Sequence, residues 1–452
     1  MQDIEFEIDE LLELTKEKKY RSVKEKLLEY NAIDIAEFME ELDSEQTVVI
    51  FRMLPKELAT DVFAELTVEK ATHIINSVTD RELGDIMNDL FVDDAVDLME
   101  ELPAIVVKRI LKNTVPETRT LINQFLNYPD NSAGSVMTAE YIGLKKAMTV
   151  EAAFAYIRKN AIDSETIYTC YVTDEKRRLE GSVTIRDLLM NPYDTKIEDI
   201  MDTHVIKSTT TEDREDVVDT INRYNLLCLP VVDSEDRLVG IITVDDVIDV
   251  MEEEATEDFE KMAAMIPSEK PYLKTSVFQL AKNRIPWLFI LMLSSIVTGK
   301  ILLKYESAFA VIPMLVTFIP MLMDTGGNSG SQSSTMVIRG MAVGEVEPVD
   351  VLKVLWKEVR VGLLVGVTLA VVNYVRLMIQ YPGKPLICLT VAISMFCTVI
   401  AAKTIGCTLP IAARTLKLDP AIMAAPMITT IVDAISLMVY FNLACYLLGM
   451  AA

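Results

Sequence analysis

The apolar run MITTIVDAISLMVYF near the C-terminus contains a single carboxylate, Asp433. An acid inside hydrocarbon is costly, so it marks an ion path or a buried ion pair. Asp433 lies about 12 residues, roughly 18 Å of helix, beyond the start of its apolar segment, which puts it near the bilayer midplane. Lys403 is the candidate partner, although a lysine near the inner end of its own segment can also extend its ammonium to water. A second acid, Asp324, precedes Gly326, Gly327, Asn328, Ser329, Gly330, Ser331 and Gln332 in FIPMLMDTGGNSGSQSS. Such a run does not read as an ordinary lipid-facing helix. Its glycines permit close helix contact or local unwinding, and irregular backbone at membrane depth is tolerated where it lines a cavity. Asn328 and Gln332 add neutral oxygen ligands and point to a pore-lining segment, while Pro313, Pro320, Pro410 and Pro426 break helices and free carbonyls. Oxygen donors of this kind suit a hard cation.

Carboxylates also crowd the other end of the chain. From Ala281 onward there are 13 basic and 8 acidic residues, which leaves the first 280 residues with 30 basic and 60 acidic. Charge at that density repels itself and attracts cations, and it excludes nucleic acid, whose phosphates require a basic face. Asp93, Asp94 and Asp97 form the densest group, with positions four apart sharing one side of a helix. A solvated acidic face would account for scattered acids but not for that density. The cysteines Cys170, Cys228, Cys388, Cys397, Cys407 and Cys445 are far apart, and His73 and His204 stand alone, so neither disulfides nor a zinc or copper site is expected. No nucleophile stands with a base, no Walker-type glycine loop is present, and no catalytic constellation is visible.

Five apolar stretches are long enough to position Asp433 and Asp324 in a membrane: Ile285 to Leu303, Ala308 to Met336, Val359 to Ile379, Leu386 to Leu409 and Ala421 to Leu448. Assigning loops alternately, one side receives Lys282, Arg284, Arg339, Lys353, Lys357, Arg360, Arg414 and Lys417, and the other Lys300, Lys304, Arg376 and Lys384. The first side is therefore expected in the cytosol. The acidic start MQDIEFEIDELLEL lacks the features of a signal peptide, so the front half is expected there too, with the C-terminus outside.

Residues 1–130 read as an all-α helical-repeat domain, because DVFAEL from Asp61, DIMNDL from Asp85, DLMEEL from Asp97 and RILKNT from Arg109 recur at about a dozen residues. Strands and helices then alternate twice, over 131–195 and 196–252. SVMTAEYIGLKKAMTVEAAFAYI with LEGSVTIRDLL is echoed by DIMDTHVIKSTTTEDREDVVDTI with LVGIITVDDVI. This duplicated α/β order resembles a CBS pair, a regulatory module of many channels, transporters and enzymes. That resemblance implies adenine-nucleotide binding, such as ATP, through a Thr and an Asp at the start of the last helix of a copy. Thr184 with Asp187, and Thr243 with Asp246, occupy such positions. An acidic connecting helix over 253–280, with Glu252, Glu253, Glu254, Glu257 and Asp258 at its front, leads to the membrane domain of 281–452.

The order helical repeat, CBS pair, acidic connector and five-helix transmembrane domain, with PMLMDTGGNSGSQSS and ITTIVDAISLMVYF, resembles the MgtE family over the whole chain. The resemblance implies a homodimeric magnesium channel or transporter of the plasma or inner membrane, with no enzymatic activity. Its pore would run between subunits, Asp433 would hold hydrated magnesium, and Thr429 would lend its backbone carbonyl. Regulatory magnesium is implied at Asp93, Asp97, Asp213, Glu215, Asp246, Asp249, Glu257 and Asp258, closing the pore when the ion is abundant inside. The pattern departs at Asn225, where the family carries an acid, and at Asp324, where some relatives carry glycine. Another divalent cation, such as cobalt or manganese, would satisfy the same ligands, and a membrane-anchored sensor without conduction is the third option.

Overall fold

The computed structural model describes residues 2–268, 272–273, 275–423 and 425–449. Parts of the expected connector, 269–271 and 274, and Ala424 of the last expected span lie outside the described residues. The chain divides into two units that meet at residues 251 and 252.

In the front unit, α1 (Gln2–Lys16) and α2 (Tyr20–Leu27) precede eight short helices. These are α3 (Ala32–Glu40), α4 (Ser44–Phe51), α5 (Lys56–Ala64), α6 (Val68–Ser77), α7 (Asp80–Asp89), α8 (Val92–Glu101), α9 (Ala104–Asn113) and α10 (Pro116–Phe125). Their starts fall at 32, 44, 56, 68, 80, 92, 104 and 116, a twelve-residue period. The period comes from local stop and start signals. Asp43 caps α4 by accepting from the Gln46 N–H, Thr79 and Glu82 form a reciprocal capping box on α7, and Pro55, Pro103 and Pro116 begin others. Helices this short are unstable alone. They persist by stacking Ile35, Phe38, Ile50, Phe63, Ile74, Leu83 and Ile110 into one core, which continues into Leu229, Val231 and Ile242 of the second α/β copy.

The first copy contains β1 (Tyr141–Leu144), α11 (Val150–Asn160), β2 (Thr166–Thr173), β3 (Leu179–Thr184) and α12 (Ile185–Met190), with the turn helix α13 (Ile197–Ile200) following. The second contains β4 (Ser208–Thr209), α14 (Arg214–Tyr224), β5 (Cys228–Val232), β6 (Leu238–Thr243) and α15 (Val244–Met262). Each copy forms a three-stranded sheet in chain order, with the first pair parallel and the second antiparallel. The copies are joined by the buried Tyr171, whose hydroxyl lies 3.1 Å from Cys228 Sγ. Asn225 ends α14 in the left-handed conformation with φ 51°, a position that favours asparagine over most side chains. The residue that departs from the expected acidic pattern thus has a backbone reason to be there.

The second unit is helical: α16 (Val277–Lys304), α17 (Glu306–Val311), α18 (Ile319–Ala342), α19 (Val351–Gln380), α20 (Pro385–Thr415) and α21 (Ala425–Leu448). Among the described residues, four segments are long and apolar enough to cross a membrane, those built on α16, α19, α20 and α21. The expected second span, Ala308 to Met336, is corrected. The chain breaks at Pro313 into a tight turn over Pro313–Phe318, and the long helix starts only at Ile319. At 24 residues, α18 has the length of a span, but its glycines, serines and amides keep it out of the apolar set. Of the two readings of Gly326 to Gln332, close contact and local unwinding, the structure supports the first, because α18 is one continuous helix there. Its glycines serve close approach. A Cβ at Gly330 would stand 2.7 Å from Ile428 Cγ2 and 3.2 Å from the Ala402 carbonyl, and one at Gly406 would collide with the Gly330 backbone.

Candidate functional site: a membrane seam and an acidic sensor

Helices α18 and α21 bring the sequence-predicted membrane residues together. Asp324, Asn328 and Gln332 occupy successive turns of α18 and all are exposed on one face, with Asn328 Nδ2 donating to Asp324 Oδ1 at 3.2 Å. Asp433, half-buried on α21, is near enough to Asp324 for their charges to interact. Thr429 lies one turn earlier, its methyl against Gly327, where a Cβ would approach Thr429 Cγ2 to 2.9 Å. The Pro426 carbonyl accepts from the Thr429 and Thr430 hydroxyls, so it is already satisfied within the helix. The result is a strip of carboxylate and amide oxygens on the outer surface of the seam.

Lys403 is not the partner of Asp433, nor does it reach for water. It is 4 % exposed, its Nζ lies 3.8 Å from Glu358 Oε2 on α19, and it donates to Ser333 Oγ at 3.2 Å. The membrane lysine is consumed by another acid, and Asp433 makes no ion pair among the described residues.

In the front unit a second group of acids converges from four places in the sequence. Asp93 and Asp94 from the first turn of α8 meet Glu140 before β1, Glu165 before β2 and Asp246 in the first turn of α15. Burial, then the neighbouring carboxylates Asp94, Asp246, Glu140 and Glu165, push Asp93 up to about 9. Burial followed by Asp246 raises Asp94 to about 6 and Glu165 to about 7. Burial also raises Glu140 and Asp246, against hydrogen bonds that favour their ionised forms. Asp93 Oδ1 is buried without a hydrogen-bond partner, although a carboxylate oxygen normally has one. An oxygen-only donor set with an orphaned, buried oxygen fits a hard divalent cation.

The other predicted acids are placed differently. Asp97 and Asp249 are exposed, each one helical turn or so beyond Asp93 and Asp246. Asp213 caps α14 by accepting from the Glu215 N–H at 2.9 Å, and neither residue enters the acidic cluster. In the second unit Glu257 pairs with Lys261, which also reaches Asp419 Oδ2 at 2.7 Å. Burial opposes the Lys261 charge, but Asp419 and Glu257 more than offset it and its pKa rises; burial and then Asp419 raise Asp258. Among the described residues, no three His, Cys, Asp or Glu side chains stand in the geometry of one metal ion. Thr184 and Thr243 are each tied to an acid three residues on, Thr184 Oγ1 to Asp187 Oδ2 and Thr243 Oγ1 to Asp246 Oδ2, both at 2.5 Å. Sequence reasoning missed Glu140, Glu165 and Asp419, which lie in loops or before strands with no local acidic pattern to signal them.

A twelve-residue helical solenoid, a CBS pair and a multi-pass helical unit with an acid on its membrane seam define a CBS-containing membrane transporter of divalent cations. Family models match in the same places: the MgtE intracellular N domain over 30–131, CBS domains over 133–193 and 197–253, and the divalent cation transporter MgtE over 319–443. The magnesium transporter MgtE of Thermus thermophilus is 38% identical over 442 residues, covering 97% of this chain and 98% of that protein. The magnesium transporter MgtE of Bacillus subtilis is 34% identical, covering 78% of this chain and 77% of its own. Among solved structures, the soluble part of a magnesium transporter is 31% identical with a TM-score of 0.53, covering 56% of this chain and 99% of that one. The cytosolic domain of the Mg2+ channel MgtE in complex with ATP is 36% identical with a TM-score of 0.51, covering 54% and 99%. The chain belongs to the MgtE family of magnesium transporters.

Proposed function

We propose that this chain conducts magnesium across the plasma or inner membrane along the seam of α18 and α21, as a homodimer with its N-terminus in the cytosol and its C-terminus outside. The observation that carries the reading is Asp433: an intramembrane carboxylate whose candidate lysine partner, Lys403, is taken by Glu358. A polar strip of Asp324, Asn328 and Gln332 cannot face lipid, and a second copy over it would enclose a wet path with two Asp433 side chains facing each other. Magnesium sheds water reluctantly, so one carboxylate per subunit, assisted by the Thr429 carbonyl, is enough to hold it hydrated. Asp324, Asn328 and Gln332 line the approach. Uptake into proteoliposomes tests this: Asp433→Ala should reduce magnesium flux to background, and undiminished flux would refute the path.

Regulation uses the same chemistry under opposite demands. Magnesium bound among Asp93, Asp97, Asp246 and Asp249, at Asp213 and Glu215, and at Glu257 and Asp258 relieves carboxylate repulsion and favours the closed form. Binding shifts the equilibrium only by its preference for that form, and several weak sites make the response steep. A role for ATP or another adenine nucleotide at Thr184, Asp187 and Thr243 is supported by the similar cytosolic domain described with ATP. Calorimetric titration with ATP, comparing the parent with Asp187→Ala, tests that part.

A further inference from the structure

The membrane unit holds a charged node that conduction through Asp433 does not use. Lys403 of α20 is nearly inaccessible, and an ammonium so placed must be held by an anion. Its Nζ is 3.8 Å from Glu358 Oε2 of α19 and 3.2 Å from Ser333 Oγ of α18. Ser333 in turn donates to Glu358 Oε2 at 2.5 Å. One hydroxyl thus accepts from the cation and donates its single proton to the anion. The adjacent Ser334 donates to the Met423 carbonyl at 2.9 Å, on the turn that leads into α21. Two neighbouring serines therefore bind α18 in two directions, to α19 and α20 and to the segment before α21.

The remaining contacts of α18 along this seam are of another kind. Gly326, Gly327 and Gly330 lie against α20 and α21 with no side chain of their own. Contact of that sort sets how close the helices come and which face of α18 turns inward, but it makes no directional bond. Direction comes from the hydroxyls. Gln332 immediately precedes Ser333, so the rotation that satisfies the node is the rotation that presents Asp324, Asn328 and Gln332 together on the outer face.

We propose that Ser333, Glu358 and Lys403 are positioning residues that fix the rotation of α18, and thereby set how well the ion path prefers magnesium over larger divalent cations. The inference rests on the reading of the α18 and α21 seam as that path. Its test is uptake of magnesium and of manganese by the full-length protein in proteoliposomes, measured as a function of concentration. Ser333→Ala removes only the shared hydroxyl, leaves Asp433 in place and is the deciding variant. It should raise the half-saturating magnesium concentration and lower the magnesium-over-manganese preference, each about fivefold. Ser333→Thr, which keeps a hydroxyl, should restore both, as should the exchanged pair Glu358→Lys with Lys403→Glu relative to either single change. A folded Ser333→Ala protein with the parent's concentration dependence and ion preference would overturn the inference while leaving the path intact. Absence of magnesium flux from the parent itself would remove the path, and the inference with it.

Discussion

The two units treat negative charge in opposite ways. In the front unit Asp93, Asp94, Glu140, Glu165 and Asp246 are gathered, and burial raises the pKa of each, with repulsion from neighbouring carboxylates adding to it at Asp93, Asp94, Glu165 and Asp246. In the membrane unit the acids are few: Glu358 is matched to Lys403, while Asp433 makes no ion pair among the described residues and lies near another acid, Asp324. The difference corresponds to two tasks. A sensor gains from repulsion, because a cation that relieves it also favours the compact form, and affinity scales with the number of carboxylates. A conductor must release what it binds, so few carboxylates line the proposed path, Asp433 and Asp324, while Glu358 is neutralised by Lys403.

The sharpest way to break this comparison is to neutralise Asp433 and, separately, the lysine that braces Glu358. Asp433→Asn should abolish flux yet leave the protein folded, since no ion pair is lost. Lys403→Met, by contrast, should leave Glu358 charged and buried and destabilise the membrane unit by about 3–5 kcal/mol, read as loss of a monodisperse species in detergent. If both variants behaved alike, the distinction between a conducting acid and a braced acid would fail.

The sensor side is sharpened by pH. Asp93, held up to about 9, keeps its proton in the folded state where the unfolded chain has released it. The folded state thus binds more protons than the unfolded one between roughly pH 4 and the raised value, so stability in chelator should fall as pH rises through that range. Added magnesium should reverse the trend, contributing about 2.7 kcal/mol when present at 100 times its dissociation constant. Asp93→Asn should raise the chelator melting temperature at pH 8 and weaken the response to magnesium. A flat melting profile from pH 5 to 9 would show that the cluster carries no such stress. The smallest effect expected is from Thr184→Ala, which removes a helix cap and should cost about 1 kcal/mol, measured by chemical denaturation.

Much of this was legible because it is local. The twelve-residue period shows in DIMNDL and DLMEEL, each followed by a new helix start, and the two CBS copies repeat strand, turn, strand and threonine in the same order. Asp433 declares itself by being the one acid in its apolar run. What stayed hidden depends on distance along the chain. Glu140 and Glu165 come from the first CBS copy, far along the chain from Asp93, and only the fold brings them to it. Glu358 lies among lysines at the start of α19, where a charge-based reading counts it as cytosolic, and only the packing of three helices turns it toward Lys403. For a related reason the sequence of α18 left close contact and local unwinding both open. Its glycines signal weak intrinsic helicity, yet tight contact with α20 and α21 overrides that preference.

The meeting of Gly330 with Gly406 leaves α18 and α20 separated by nothing but main chain. A single methyl introduced there is a wedge, and the easiest escape for α18 is outward, toward the very strip that carries Asn328. On the proposed path, alanine at either glycine is expected to act as a throttle on permeation, installed from behind without altering any group the ion would meet.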